Sequence, residues 1–265
     1  DHELSLTELL AARIQQRRAE LDLAADQARH AVSGAVLDHD RRLALADIRT
    51  TFGFVPKFLS ALPGRALPGV WEQMKSLQLN PNTALSGKNK ELIGLAVAAQ
   101  VPCEYCVLAH TEFAKLNGAT EEEIGECVAL GALTRHWSTY MNGMQIDAQK
   151  FGKELERFVE MAKKAPTPQG APIEVVDAVT ARADIERTFG FVPEFLAIFP
   201  PEGLAGAWRS WRDVELAPDT SIEPKTKSLI ALGVAAQIPC TYCIKADTTF
   251  AQLGGATDRE IREAV

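Results

Sequence analysis

The chain has 265 residues, with 35 acidic against 28 basic side chains and a net charge of −7. That balance argues against a nucleic-acid grip, which requires a basic face. The longest apolar run, Leu92 to Val101, is far short of the ~18 residues of a membrane span, and 46% hydrophobic with 24% charged residues suits a folded protein with one or two cores.

Leu6, Leu9, Leu10, Ile14, Leu21, Ala25, Ala28 and Val32 recur at roughly helical spacing. They predict an amphipathic helix over residues 1–33, with Thr7 as N-cap before Glu8, packing on the domain or on a neighbouring subunit. The chain opens at Asp1 without methionine; a processed or omitted upstream segment accounts for that, and the compartment stays open with the cytoplasm favoured.

An internal repeat then dominates. Asp47-Ile48, Thr51-Phe-Gly-Phe-Val-Pro56 and Phe58-Leu59 return as Asp184-Ile185, Thr188-Phe-Gly-Phe-Val-Pro193 and Phe195-Leu196, an offset of 137. The same offset relates Trp71 to Trp208, Cys103 to Cys240, Cys106 to Cys243 and Gly118-Ala-Thr120 to Gly255-Ala-Thr257. No gap is needed between 47 and 124, and about half of these positions are identical. Two copies of one unit stand in tandem.

Copy one is placed at 34–164 and copy two at 173–265, with the Pro- and Gly-rich 165–172 as linker. Helical periodicity predicts helices at Arg41–Thr51, Leu67–Leu79, Lys88–Gln100, Glu104–Leu116, Glu121–Met141 and Gln145–Lys164. Gly118 suits a left-handed helix end, and Thr120 with Glu123 a capping box. No segment alternates as a strand does, so the expected fold is an all-α helical bundle in two copies. Val265 corresponds to Val128, so copy two lacks counterparts of residues 129–164, including Arg135, His136, Trp137 and Tyr140. Either the sequence stops short of the native C-terminus or another chain completes copy two.

Four of the five cysteines form two C-x-x-C pairs, which is no disulfide scaffold in a chain of this size. Pro102 ends one helix and the next starts near Cys103, so the first pair sits in a first turn, where unpaired N–H groups and the helix dipole favour thiolate. Cys106 and His110 are i and i+4 on one face, so the imidazole can take the Cys106 proton. Cys103 is about 10 Å from His110 by helical rise, so the base serves Cys106. Glu91, on the preceding helix, is positioned to orient His110. Cys127 reads as core, since Ala264 stands at its repeat position. His136 and Trp137 read first as packing, and Phe52, Phe54, Val55 and Pro56 as a packed turn with a pocket wall as the alternative.

The order Glu91, eleven residues, Cys103, two residues, Cys106, three residues, His110 resembles the signature of the AhpD-like alkylhydroperoxidases of the carboxymuconolactone decarboxylase superfamily. Phe52-Gly-Phe-Val-Pro56 and Arg135-His-Trp-Ser-Thr-Tyr-Met-Asn-Gly143 resemble segments of its peroxidase-related members, and this similarity places His136 and Trp137 near the pocket. The resemblance implies a peroxiredoxin-type enzyme in which Cys106 attacks the peroxide and Cys103 closes a disulfide, with Glu91 and His110 as proton relay. It also implies no metal, haem or other cofactor, a dithiol or lipoyl-type protein reductant, and a homo-oligomer.

Copy two keeps Cys240 and Cys243 as a second redox pair, but Ser228 replaces Glu91 and Asp247 replaces His110. An ionised Asp247 would raise the thiol pKa, so copy two is expected to be weak or dead as a peroxidase. Four other readings stand beside peroxidase: a thiol–disulfide oxidoreductase, a lactone decarboxylase, a zinc site made from both pairs, and a non-catalytic interaction module.

Overall fold

A computed structural model describes residues 6–164 and 173–265; the expected linker at 165–172 lies outside them. Among the described residues the regular structure is helical, with no strand. The chain forms two compact units, one ending at Leu79 and the other running from Asn80 to Val265. Compactness therefore divides the chain inside copy one, whereas the duplication divides it at the linker.

In the first unit, helix α1 runs unbroken from Leu6 to Phe52. The two segments read separately from the sequence are joined, because Gly34 alone between them costs only about 1 kcal/mol as a helix interruption. Thr7 lies inside α1 rather than capping it. The helix ends at Gly53, whose φ of +80° is open to glycine at little cost. Short α2 (Lys57–Ser60) and α3 (Leu67–Gln73) follow, α3 continuing as a π-helical turn, Met74–Gln78. Ala44, Ile48, Leu59, Leu67 and Trp71 form the core. The Asp47 carboxylate accepts from Trp71 Nε1 at 2.9 Å and Lys75 Nζ at 2.6 Å.

The second unit contains α4 (Gly87–Gln100), α5 (Glu104–Leu116), α6 (Glu121–Gly143), α7 (Ala148–Lys164), α8 (Ala178–Phe189), α9 (Glu194–Ala197) and α10 (Pro201–Trp211), the last extended by a π-helical turn, Arg212–Leu216. Helices α11 (Pro224–Gln237), α12 (Thr241–Leu253) and α13 (Asp258–Ala264) complete it. Gly118 takes φ +84°, and Thr120 and Glu123 form the expected capping box. The Asp47 arrangement recurs at Asp184, which accepts from Trp208 Nε1 at 2.9 Å and from Arg212 at 2.8 Å, with Arg187 added at 2.7 Å.

Equivalent helices α4 and α11 pack on each other around a local two-fold relation. Asn89 donates to Thr226, its own repeat counterpart, at 3.1 Å. Glu126 holds Ile222 N–H at 3.1 Å and the Thr220 hydroxyl at 2.5 Å. Reciprocally, Glu263 holds the N–H groups of Ala84 and Leu85 at 2.9 and 2.8 Å. Each carboxylate satisfies backbone donors ahead of the other copy's central helix, so the two motif hairpins brace one another.

The second half of α6 and all of α7 belong to copy one by sequence, yet they pack on copy two. Trp137 meets Phe195 and Trp211 with ring centroids 5.6 and 5.5 Å away. Tyr242 donates to Ile146 O at 2.5 Å.

Candidate active site

Helix α4 is half buried along its length and ends with Val101 as its C-cap; α5 follows closely, with Cys103 as its N-cap. Cys103 Sγ accepts the Cys106 N–H at 3.3 Å and is disulfide-bonded to Cys106. Both cysteines are half-buried, and neighbouring Tyr105 is 88% exposed. Antiparallel return of α5 along α4 brings His110 to Glu91, with Nδ1 to Oε2 at 2.7 Å. Glu91 is buried, so its carboxylate holds the Nδ1 proton away from water and leaves Nε2 as the ring nitrogen for proton transfer.

Gly94, one turn after Glu91, makes this possible. A Cβ there would lie 2.6 Å from His110 Cε1, so any side chain would push the imidazole off its carboxylate. Copy two has Ala231 at the Gly94 position and the smaller Asp247 at the His110 position.

Copy two is built differently around the same helix junction. Cys240 is the N-cap of α12, and Cys240 and Cys243 are buried free thiols with sulfurs 2.8 Å apart. Cys240 Sγ also accepts Cys243 N–H at 3.3 Å and Asn142 Nδ2 at 3.5 Å. The hydrogen bond from Cys243, joined by those from Ser138 and Asn142, outweighs burial and pulls the Cys240 pKa down to about 5. Cys243 is pushed up, first by donating to Cys240 and then by burial. The pair shares one proton and titrates as a unit. Ser228, in the Glu91 position, donates to Pro224 O at 3.1 Å and reaches no relay.

Asp247 is buried, and burial followed by the nearby Glu215 raises its pKa well above the ordinary value, which works against the ionised form expected from the sequence; its charge is, as expected, among the influences that raise Cys243. Burial also lifts Glu215 to about 7, against a hydrogen bond from Trp211 and the charge of Lys227. The sequence reading missed Glu215; its signal was the contrast with Gln78 at the repeat position.

Glu215, Asp247 and Cys243 lie in the lining of an open pocket with largely aromatic walls. Phe189, Phe191, Pro193 and Phe195, counterparts of Phe52, Phe54, Pro56 and Phe58, belong to that wall. Around the first copy, Phe52 and Val55 pack on the unit-one core while Phe54 is exposed. Trp137 lines the copy-two pocket and His136 meets its ring edge-to-face at 4.8 Å, so the α6 segment read as part of copy one serves copy two. Cys127 is core, bonded to Leu92 O at 2.8 Å and pushed up to about 12 by burial. Among the described residues no three His, Cys, Asp or Glu side chains are grouped to hold a metal ion, and no helix is long and apolar enough to cross a membrane.

The fold and site define an all-α tandem repeat in which a C-x-x-C pair opens a buried helical hairpin. A profile of the carboxymuconolactone decarboxylase family matches residues 66–149 and 202–265, more than half of the chain. The chain belongs to that family, in tandem and of AhpD-like type. It is 37% identical over 78 residues to alkyl hydroperoxide reductase Rv2159c of Mycobacterium tuberculosis, covering 29% of this chain and 22% of the relative. It is also 37% identical over 57 residues to uncharacterized protein 4 in the cox locus of Paracoccus denitrificans, covering 22% of this chain and 51% of the relative. The chain thus spans about a fifth and about half of these relatives' lengths. No solved structure matches.

Proposed function

We propose that the chain is a thiol-dependent peroxidase whose copy-one site reduces hydroperoxides. Cys106 thiolate, its proton taken by His110, attacks the distal peroxide oxygen and becomes a sulfenic acid while the alcohol or water leaves with a proton from His110. Cys103 then attacks Cys106 Sγ, water departs, and the disulfide forms. A dithiol or lipoyl-bearing partner returns the two electrons. The observation that carries this reading is the 2.7 Å bond between His110 and buried Glu91, one turn along α5 from Cys106. The alkyl hydroperoxide reductase named above supports it from the family side.

The test is hydrogen peroxide consumption with a dithiol donor by the chain carrying Cys240→Ser and Cys243→Ser. Adding Cys106→Ser is expected to abolish turnover, and His110→Ala to lower it about 100-fold or more. If the chain removes no hydroperoxide while Cys103 and Cys106 still cycle with dithiols, it is a disulfide exchanger.

A further inference from the structure

The copy-two pocket has the features of a reaction site of its own. Its walls are largely apolar and aromatic with a few polar groups among them, the usual make-up of a small-molecule site. Two of its lining residues carry buried polar atoms with no partner, Asp247 Oδ2 and Trp137 Nε1. Asp247 is 5% exposed, and leaving such an oxygen unpaired costs free energy unless a ligand meets it. Cys243 lines the pocket and Cys240 does not. Asp247 stands one turn beyond Cys243, as His110 does beyond Cys106.

We propose that copy two is a second peroxidase site, for bulky uncharged organic hydroperoxides, in which Cys243 meets the substrate and the Asp247 carboxyl donates the proton that histidine handles in copy one. The proposal rests on the peroxidase reading of the chain. Ionised ligands such as fatty-acid carboxylates are disfavoured, because Glu215 and Asp247 already crowd the polar part of the lining with acid groups.

The shared proton moves to Cys240 across the 2.8 Å sulfur contact, leaving the charge on Cys243. Its sulfur attacks the distal oxygen, the O–O bond breaks, and the alkoxide leaves as alcohol with the Asp247 proton. Cys240 then attacks Cys243 Sγ, the S–O bond breaks, and hydroxide leaves with the Cys240 proton as water. The thiol pair has given two electrons to the peroxide and is held as the disulfide, Asp247 is left ionised, and a small external dithiol restores the two electrons and two protons. The buried pair favours a small reductant over a protein surface.

The experiment uses the full chain with Cys103→Ser and Cys106→Ser, fully reduced, mixed with cumene hydroperoxide or hydrogen peroxide. Tryptophan fluorescence follows Trp137 and Trp211, and mass spectrometry identifies the Cys240–Cys243 disulfide. Cumene hydroperoxide is expected to oxidise the pair about tenfold or more faster than hydrogen peroxide. Asp247→Asn is expected to slow that step about 100-fold. Equal rates for the two peroxides, no disulfide, or an unchanged rate in Asp247→Asn overturns the proposal. Should Asp247→Asn not fold, cumyl alcohol decides: it must shield Cys243 from maleimide in the parent chain, and no shielding overturns occupancy of the pocket. Failure of copy one is separate, since it is read in the chain lacking Cys240 and Cys243.

Discussion

Copy one holds its cysteines half-buried beside an imidazole, whereas copy two holds the same pair buried, beneath aromatic walls and beside two carboxyls. Both motifs begin a helix with a cysteine N-cap after a Pro-containing turn. The surroundings differ because α6 and α7 pack on copy two and because three facing positions changed together: Glu91 to Ser228, Gly94 to Ala231 and His110 to Asp247. The lesson is that a duplicated thiol motif keeps its backbone chemistry while neighbouring residues choose the proton donor.

The duplicated aspartates test whether the contrast in burial extends to stability. Asp184 is fully buried and Asp47 is not. Burial raises the Asp184 pKa, but bonds from Arg212, Trp208 and Arg187 outweigh it and hold the carboxyl below its ordinary value. Its contribution is therefore present above about pH 4 and lost as pH falls. Asp184→Asn is expected to cost about 3–5 kcal/mol at neutral pH in denaturant melts, because two arginines lose their partner charge. Asp47→Asn should cost clearly less, and equal losses would show that burial does not separate the two units.

Gly94→Ala asks whether the imidazole needs the space that glycine leaves. With His110 displaced, hydrogen peroxide turnover at copy one should fall about 100-fold. Retained turnover with an unchanged pH profile would mean that the Glu91 contact does not position the base.

Glu215→Gln probes the acid pair that copy one lacks. A carboxyl raised to about 7 in the folded chain contributes stability below its unfolded pKa of about 4.3 and loses it as pH rises toward the folded value. The melting temperature of Glu215→Gln relative to the parent should therefore climb between about pH 5 and about pH 7.5. A pH-independent difference would place Glu215 in contact with water.

Much of this was legible in the residues. The repeat, the helices from Lys88 to Met141, the Gly118 and Thr120 helix stop and start, and the pairing of Glu91 with His110 all depend on contacts within one hairpin, where period and spacing dictate who meets whom. Less visible was the continuity of α1, since nothing in the stretch from Ser33 to Asp40 either demands or forbids helix strongly.

Local spacing thus determined an all-α tandem fold and an acid, thiol and imidazole arrangement on two adjacent helices. Packing between distant segments settled the rest: that α6 and α7 cover copy two, that Glu215 joins Asp247, and that burial raises the Asp247 pKa. A pKa set by desolvation depends on what closes over the group, and no sequence spacing encodes that cover.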